Sequence, residues 1–202
     1  MQTMTKRALA DVKMDSFWLD NPDRPAALPP LTTNRTADLL VVGGGFTGLW
    51  GAIQARQANP DISVILIEKD TVANGASGRP GGVVSTSVMH GLHNAVRIFP
   101  NDIAELERLG QDNMRGFMKT IEDHAIDCHA EWGGELTVAV DDAHVEGLHA
   151  EHELHLKYGH NAVFLDRDEV QKEIHSPRYK AGVWSKDIAG TVHPALLAWG
   201  LK

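Results

Sequence analysis

The residues in this chain best placed to do chemistry are glycines, not acids, bases or nucleophiles. Gly43-Gly44-Gly45-Phe46-Thr47-Gly48 fits the spacing G-x-G-x-x-G. In such a run the first glycine permits a tight turn off a strand. The second lets bare backbone approach a pyrophosphate, and the third lets a helix pack closely on the strand. The N–H groups that open the following helix then face the phosphates. Glu68 is the second element, twenty residues after Gly48, where a carboxylate can accept hydrogen bonds from an adenosine ribose. A second run of small residues is Gly75-Ala76-Ser77-Gly78-Arg79-Pro80-Gly81-Gly82. It lets backbone lie against a flat ligand, while Ser77 and Arg79 can donate hydrogen bonds to phosphate oxygens.

A glycine hexad means little outside its structural setting. Residues 37–42 are an apolar run ending at the glycines, as expected of a strand buried on both faces. Residues 47–58 favour helix, and Asn59-Pro60 ends it. Residues 62–67 are a second β-rich run that stops at Glu68. Strand, helix and strand in this order make a βαβ unit with two parallel neighbouring strands. The unit is expected to bind a dinucleotide.

Residues 73–84 read as a loop. Asn101 is expected to cap a helix in which Ile103, Leu106, Leu109, Met114, Phe117, Met118 and Ile121 recur at helical spacing, weakened by Gly110 and Gly116. Strands are expected at 135–140, 162–165 and 181–185, a polar helix at 143–158, a capped short helix at 166–174, and a last helix from Pro194. The lead-in, 1–36, contains Pro22, Pro25, Pro29 and Pro30, which disfavour regular structure. Phe17 and Trp18 are expected to pack this arm onto the body.

Composition narrows the function. A formal net charge of −8 argues against nucleic-acid binding, which needs a basic face. The one cysteine, Cys128, cannot form an internal disulfide and suits a reducing, cytoplasmic setting. No apolar run reaches membrane-spanning length, and Lys6 and Arg7 precede no signal-peptide core. Seven of the eleven histidines fall between His124 and His160. His152-Glu153-Leu154-His155 is one residue too short for a zinc-hydrolase pair, and His149, His152 and His155 drift around a helix. A solvated helix face is therefore expected, with no metal. Cys128 reads as a core residue, and Trp132, Trp184 and Trp199 as packing groups. Neither His90 nor Cys128 sits in a motif for covalent attachment of a ligand.

The glycine hexad, Glu68 and the Gly75–Gly82 run together resemble the glycine/D-amino acid oxidase family of FAD-dependent oxidoreductases. Phe17-Trp18, Arg24-Pro25-Ala26 and Leu28-Pro29-Pro30-Leu31 resemble its gamma-glutamylputrescine oxidoreductase-like branch. The resemblance implies FAD as cofactor. It implies contacts to FAD from Gly43, Gly44, Gly45, Phe46, Thr47, Gly48, Glu68, Lys69, Ala76, Ser77, Gly78, Arg79, Gly81 and Gly82. Pro80 stands where the family usually carries Asn, so any hydrogen bond from that amide is lost. The segments at 127–140 and 192–201 resemble, more loosely, the family's entry into its substrate domain and its return.

The implied architecture is α/β. An arm at 1–36 precedes an incomplete Rossmann-like FAD-binding βαβ region at 37–98. Part of an α+β substrate domain follows at 99–192, and a return toward the FAD region begins at 193–202. Family members are longer and end in a second glycine-rich segment that closes over the flavin. The chain is thus expected to be a fragment, or one subunit whose fold a second chain completes. The implied activity is oxidation of a small amine or amino acid at its C–N bond, with the electron acceptor and catalytic side chains unassigned. Two rival readings are a non-catalytic nucleotide-binding remnant and an NAD-linked dehydrogenase, since the hexad and Glu68 serve NAD equally well. The Ser77–Gly82 loop disfavours the second.

Overall fold

The computed structural model of the chain describes residues 10–13, 15–87 and 90–202; Lys6 and Arg7 lie outside them. Two compact units divide the chain, Met1–Gly81 with His193–Lys202, and Gly82–Val192.

In the first unit, strand β1 (Leu39–Val42) leads into helix α1 (Phe46–Ala58) and then strand β2 (Val64–Ile67). The strands pair in parallel, Leu39 opposite Val64 through Val42 opposite Ile67. The Asp38 carboxylate takes the N–H and hydroxyl of Ser63 and so fixes the register where the strands start. These hydrogen bonds also hold the Asp38 carboxyl below its ordinary pKa, the hydroxyl of Ser63 foremost. Asn59 ends α1 in an extended conformation, its N–H still donating to Ala55. The expectation of a strand buried on both faces is not met. β1 alternates between half-buried and exposed positions, with Leu40 57% and Val42 76% exposed. Side chains of a strand alternate between two faces, and the face carrying Leu40 and Val42 is open to solvent.

Of the two residues expected to anchor the arm, Trp18 does so and Phe17 does not. Phe17 is 81% exposed, and Leu19 is the buried group at 1%. Ser16 donates its hydroxyl to the Gly78 carbonyl and Trp18 its indole N–H to the Pro80 carbonyl. Trp18 also meets the His193 ring edge-on at 4.9 Å. His193 accepts the Leu196 N–H at Nδ1 and so caps the last helix, α6 (Pro194–Gly200). Trp199 of α6 donates to the Val72 carbonyl at 3.2 Å.

The second unit is built on an antiparallel sheet in the order β4 (Glu135–Ala139), β6 (Ala181–Ser185), β5 (Ala162–Leu165). Helix α4 (Val145–Lys157) covers it through Leu148, which joins Ala139, Ala162, Ala181 and Val183 in the core. Helix α5 (Arg167–Glu173) begins with a full capping box between Asp166 and Glu169, and its Val170 is completely buried. Gly182 gives Leu136 and Val170 room, since a Cβ there would lie 2.9 Å from Leu136 Cδ1.

Three elements of this unit escaped the sequence reading. Strand β3 (Val83–Ser85) pairs antiparallel with β7 (Ala189–Thr191), and helix α2 (Leu92–Ile98) precedes the long helix α3 (Ile103–Asp123). The loop expected at 73–84 therefore ends in a strand at Val83. Both strands are three residues long, too short for periodicity to register. The N-cap of α3 is Asp102, one residue later than expected, and its side chain makes no capping bond.

Gly110 is more than a weak point in α3. A Cβ there would lie 2.4 Å from the Thr86 carbonyl oxygen, so glycine allows the helix to pass against the segment after β3. Helix propensity alone favours alanine over glycine by about 1 kcal/mol. We expect Gly110→Ala to go the other way and destabilise the fold by about 1–3 kcal/mol, as overpacking does. A fall in the urea midpoint at unchanged slope is the measurement that checks it.

Candidate functional site

The glycine hexad forms the bend between β1 and α1. Gly43 has φ +109°, a left-handed backbone that side chains rarely adopt. Its N–H donates to the Ile67 carbonyl at 2.8 Å, which continues the β1–β2 ladder into the bend. At Gly48 a Cβ would lie 2.0 Å from the Gly43 carbonyl oxygen and 3.1 Å from Val41 Cγ1. Here helix and strand touch with no space for a methyl group.

Helix α1 opens at Gly45 with no side-chain cap from that residue and no acidic group in its first turn. Its positive dipole end is thus left for an anion. Ser77 reaches this end from the second glycine run. The Phe46 N–H donates to Ser77 Oγ at 2.9 Å. A Cβ on Gly45 would lie 2.9 Å from the same oxygen. Ser77 was expected as a phosphate donor, and in the structure it is first an acceptor that joins the two glycine runs. Its hydroxyl hydrogen stays available to donate.

Glu68 is the second tie. Its Oε2 accepts the Gly44 N–H at 2.6 Å and its Oε1 accepts the Asp70 N–H at 3.0 Å. Both hydrogen bonds stabilise the charged form, the one from Gly44 most, and hold this carboxyl below its ordinary pKa. Each carboxylate oxygen carries a further lone pair for a ligand hydroxyl. The neighbouring Lys69 is exposed.

The second glycine run turns through a short 3-10 segment, Ala76–Gly78. Gly78 is buried, and a Cβ there would meet the Ala73 carbonyl at 2.3 Å and Leu19 at 2.6 Å. Arg79 is exposed and donates its Nε to the Asn74 carbonyl at 3.2 Å. Ahead of it, the Ala73 N–H donates to the Gly44 carbonyl at 3.0 Å. Arg24 donates to Thr71 Oγ1 and Asn74 Oδ1, a support the sequence reading missed. A lone arginine in an irregular arm gives no periodic signal. All the expected contacts except Gly82 fall in the first unit. Gly82 opens the second, with φ +81° and its carbonyl accepting the Val192 N–H at 2.8 Å.

Other candidates take structural roles. Cys128 is 1% exposed, and burial raises its thiol pKa, with Asp127 adding to the effect. The Trp184 indole donates to the Gly133 carbonyl at 2.7 Å, and Trp132 packs over Gly190. The histidines of α4 do not form a solvated face. His149 is exposed and stacks on Phe164 with ring centres 4.0 Å apart, His152 is half-buried, and His155 is buried at 5%. Sequence placed the three around the helix, but only the tertiary fold decides which part of that circumference is covered. Among the described residues no group of three or more His, Cys, Asp or Glu is arranged to hold a metal ion. No helix among them is long and apolar enough to cross a membrane.

Comparison with known proteins gives a consistent result. The family model described as FAD dependent oxidoreductase (DAO) matches residues 38–202. Gamma-glutamylputrescine oxidoreductase of Escherichia coli (strain K12) is 31% identical over 189 residues, covering 92% of this chain and 43% of its own length. Among solved structures, glycine oxidase from Geobacillus kaustophilus superposes with TM-score 0.62 at 19% identity, covering 82% of this chain and 43% of its own. L-alpha-glycerophosphate oxidase from Mycoplasma pneumoniae with FAD bound gives 0.63 at 22%, with coverage of 83% and 42%. The chain thus spans less than half the length of these relatives.

The tie between Glu68 and Gly44 has a measurable consequence. A carboxyl whose pKa is lowered by folding adds stability above its unfolded value, about 4.3, and loses it as pH falls through the folded value. Glu68→Gln should therefore be less stable than the parent at pH 7. The gap should close as the pH is taken well below 4, and denaturation curves for both proteins at each pH will show it.

Proposed function

The chain belongs to the FAD dependent oxidoreductase family, and from that premise we propose that it supplies the ADP-binding part of an enzyme that oxidises a small amine or amino acid at its C–N bond. The observation that carries this reading is the glycine bend braced at two points, by Glu68 on Gly44 and by Ser77 on Phe46. The bend is bare where a pyrophosphate would lie, and a Cβ at Gly45 would already crowd Ser77 Oγ. These residues fit the ADP half of FAD. The Gly45 backbone and the start of α1 would face the phosphates, with Ser77 and Arg79 donating from the second run. Gly43, Gly44, Thr47, Gly48, Lys69, Ala76, Gly78, Gly81 and Gly82 would shape the bend and loop, and Glu68 would take the ribose hydroxyls.

Bound FAD would supply a hydride acceptor for the carbon bearing the amine, and the protein's share would be to bind, orient and exclude water. We read the first unit as an incomplete Rossmann-like βαβ fold and the second as part of a substrate domain. The exposed Leu40 and Val42 on one face of β1 support incompleteness, as does a length under half that of the relatives. A further segment, on this chain or a second one, would cover that face. The lone buried Cys128 fits a reducing, cytoplasmic setting. The family match sets aside the NAD-linked dehydrogenase reading.

Ligand-dependent stability tests the proposal. A ligand present at one hundred times its Kd raises stability by about 2.7 kcal/mol. FAD should raise the melting temperature of the chain, and NAD at the same concentration should not. Gly45→Val should weaken FAD binding at least about tenfold, roughly 1.4 kcal/mol, read by quenching of flavin fluorescence. Equal stabilisation by the two nucleotides, or unchanged affinity in Gly45→Val, would overturn the assignment. FAD binding without amine oxidation when all the segments of a full-length relative are supplied would favour the non-catalytic remnant.

A further inference from the structure

Three buried side chains of the second unit form a hydrogen-bonded chain that the flavin reading does not use. Glu107 of α3 lies with Oε2 2.7 Å from His160 Nε2. His160 Nδ1 lies 2.7 Å from His155 Nδ1. All three residues are at least nine-tenths buried. His155 Nε2 makes no hydrogen bond among the described residues, and Glu151 Oε1 is 3.9 Å away, beyond hydrogen-bond range though near enough to pair with a protonated ring. The three side chains line a cavity of about 350 Å³, together with Glu135, Glu151 and Thr86.

With Glu107 ionised and both imidazoles neutral, the contacts allow one placement of the protons in this chain. Each 2.7 Å separation joins two atoms that bear lone pairs, so each must hold one proton. An ionised carboxylate only accepts, and it is a weaker base than imidazole. The first proton is therefore on His160 Nε2. In neutral His160 the Nδ1 atom is then bare and must accept, so the second proton is on His155 Nδ1. The hydrogen bond at one ring nitrogen sets the state of the other. His155 Nε2 is left unprotonated, as a basic atom in the wall of the cavity.

We propose that this cavity is a proton-accepting site for a small organic ammonium ligand, with His155 as the base and His160 and Glu107 as the relay behind it. The carboxylates of Glu135 and Glu151 match the charge of the ligand. On transfer an N–H bond of the ammonium breaks, its electron pair stays on the ligand nitrogen, and an Nε2–H bond forms on His155. The His155 Nδ1 proton passes to His160 Nδ1, and the resulting imidazolium is paired with Glu107. Two protons each shift by one site, one positive charge passes from the ligand to His160, and nothing is oxidised or reduced. Other titratable groups face the same space. They are Glu151 on the same helix, Glu107 of α3, Glu135 of β4, His160 before β5 and His90 before α2. The inference stands apart from the flavin reading, because its readout needs neither FAD nor turnover.

The test uses the full chain labelled with 15N-histidine and long-range proton–nitrogen spectra at neutral pH. We expect the Nδ1–H tautomer at His155 and the Nε2–H tautomer at His160. Propylammonium chloride should shift both residues in a saturable way, and sodium chloride at equal ionic strength should not. Glu107→Gln keeps an acceptor carbonyl of similar size; its fold is checked by circular dichroism, and it should weaken the propylammonium response at least fivefold. Glu151→Gln, which leaves the hydrogen bonds of the relay in place, should weaken ligand binding yet keep the His155 tautomer. An Nε2–H tautomer at His155 in the parent, an equal response to sodium, or an unchanged response in Glu107→Gln would each overturn the proposal.

Discussion

The candidate nucleotide site depends on one short hydrogen bond, from the Gly44 N–H to Glu68 Oε2 at 2.6 Å. β1 and β2 run parallel, so the bend after one and the carboxylate after the other emerge on the same side. The bond closes the two strand ends into one frame. Gly43 with its left-handed backbone starts the turn, and Gly48 lets α1 settle on β1. A hydrogen bond with one ionised partner is about twice as strong as a neutral one, which suits it to hold a glycine-rich segment that has little else to hold it. Glycine loses more freedom on ordering than any other residue, so three in succession need external restraint.

Restraint comes in layers. Ser77 fastens the second glycine run to the start of α1, and Gly78 allows that run to press against Ala73 and Leu19. Leu19 in turn belongs to the proline-rich arm, which Ser16 and Trp18 tie to the carbonyls of Gly78 and Pro80. The arm thus acts as a brace for the loop. Pro80 has no N–H to donate, yet its carbonyl is used. None of these braces is periodic, and all but the contact of Gly78 with Ala73 join residues far apart in sequence.

The second unit uses buried polar groups differently. Its sheet core is apolar around Leu148 and Val183, and beside it Glu107, His160 and His155 are buried in mutual contact. Burying such groups without partners is costly, and pairing all three removes that cost. Gly110 on α3 lies one turn from Glu107 and lets the helix approach the segment after β3.

The sequence alone determined the glycine bend, the place of Glu68 and the strand–helix–strand unit that bears them. The glycine spacing, Glu68 and the strand–helix–strand order are local patterns, and local backbone sterics dictate them whatever surrounds them. Helix α3, whose apolar residues recur at helical spacing, was legible for the same reason, and β4, β5, β6 and α4 were legible by residue type. Tertiary structure decided which faces were buried and which polar groups met. It left Leu40 and Val42 exposed where a buried strand was expected, and anchored the arm by Leu19 beside Trp18 while leaving Phe17 in solvent. It also brought His155 and His160 onto Glu107, fifty-three residues before His160 in the chain. Burial and long-range pairing depend on what the rest of the chain places alongside a residue, and no periodicity in the residue's own segment encodes that.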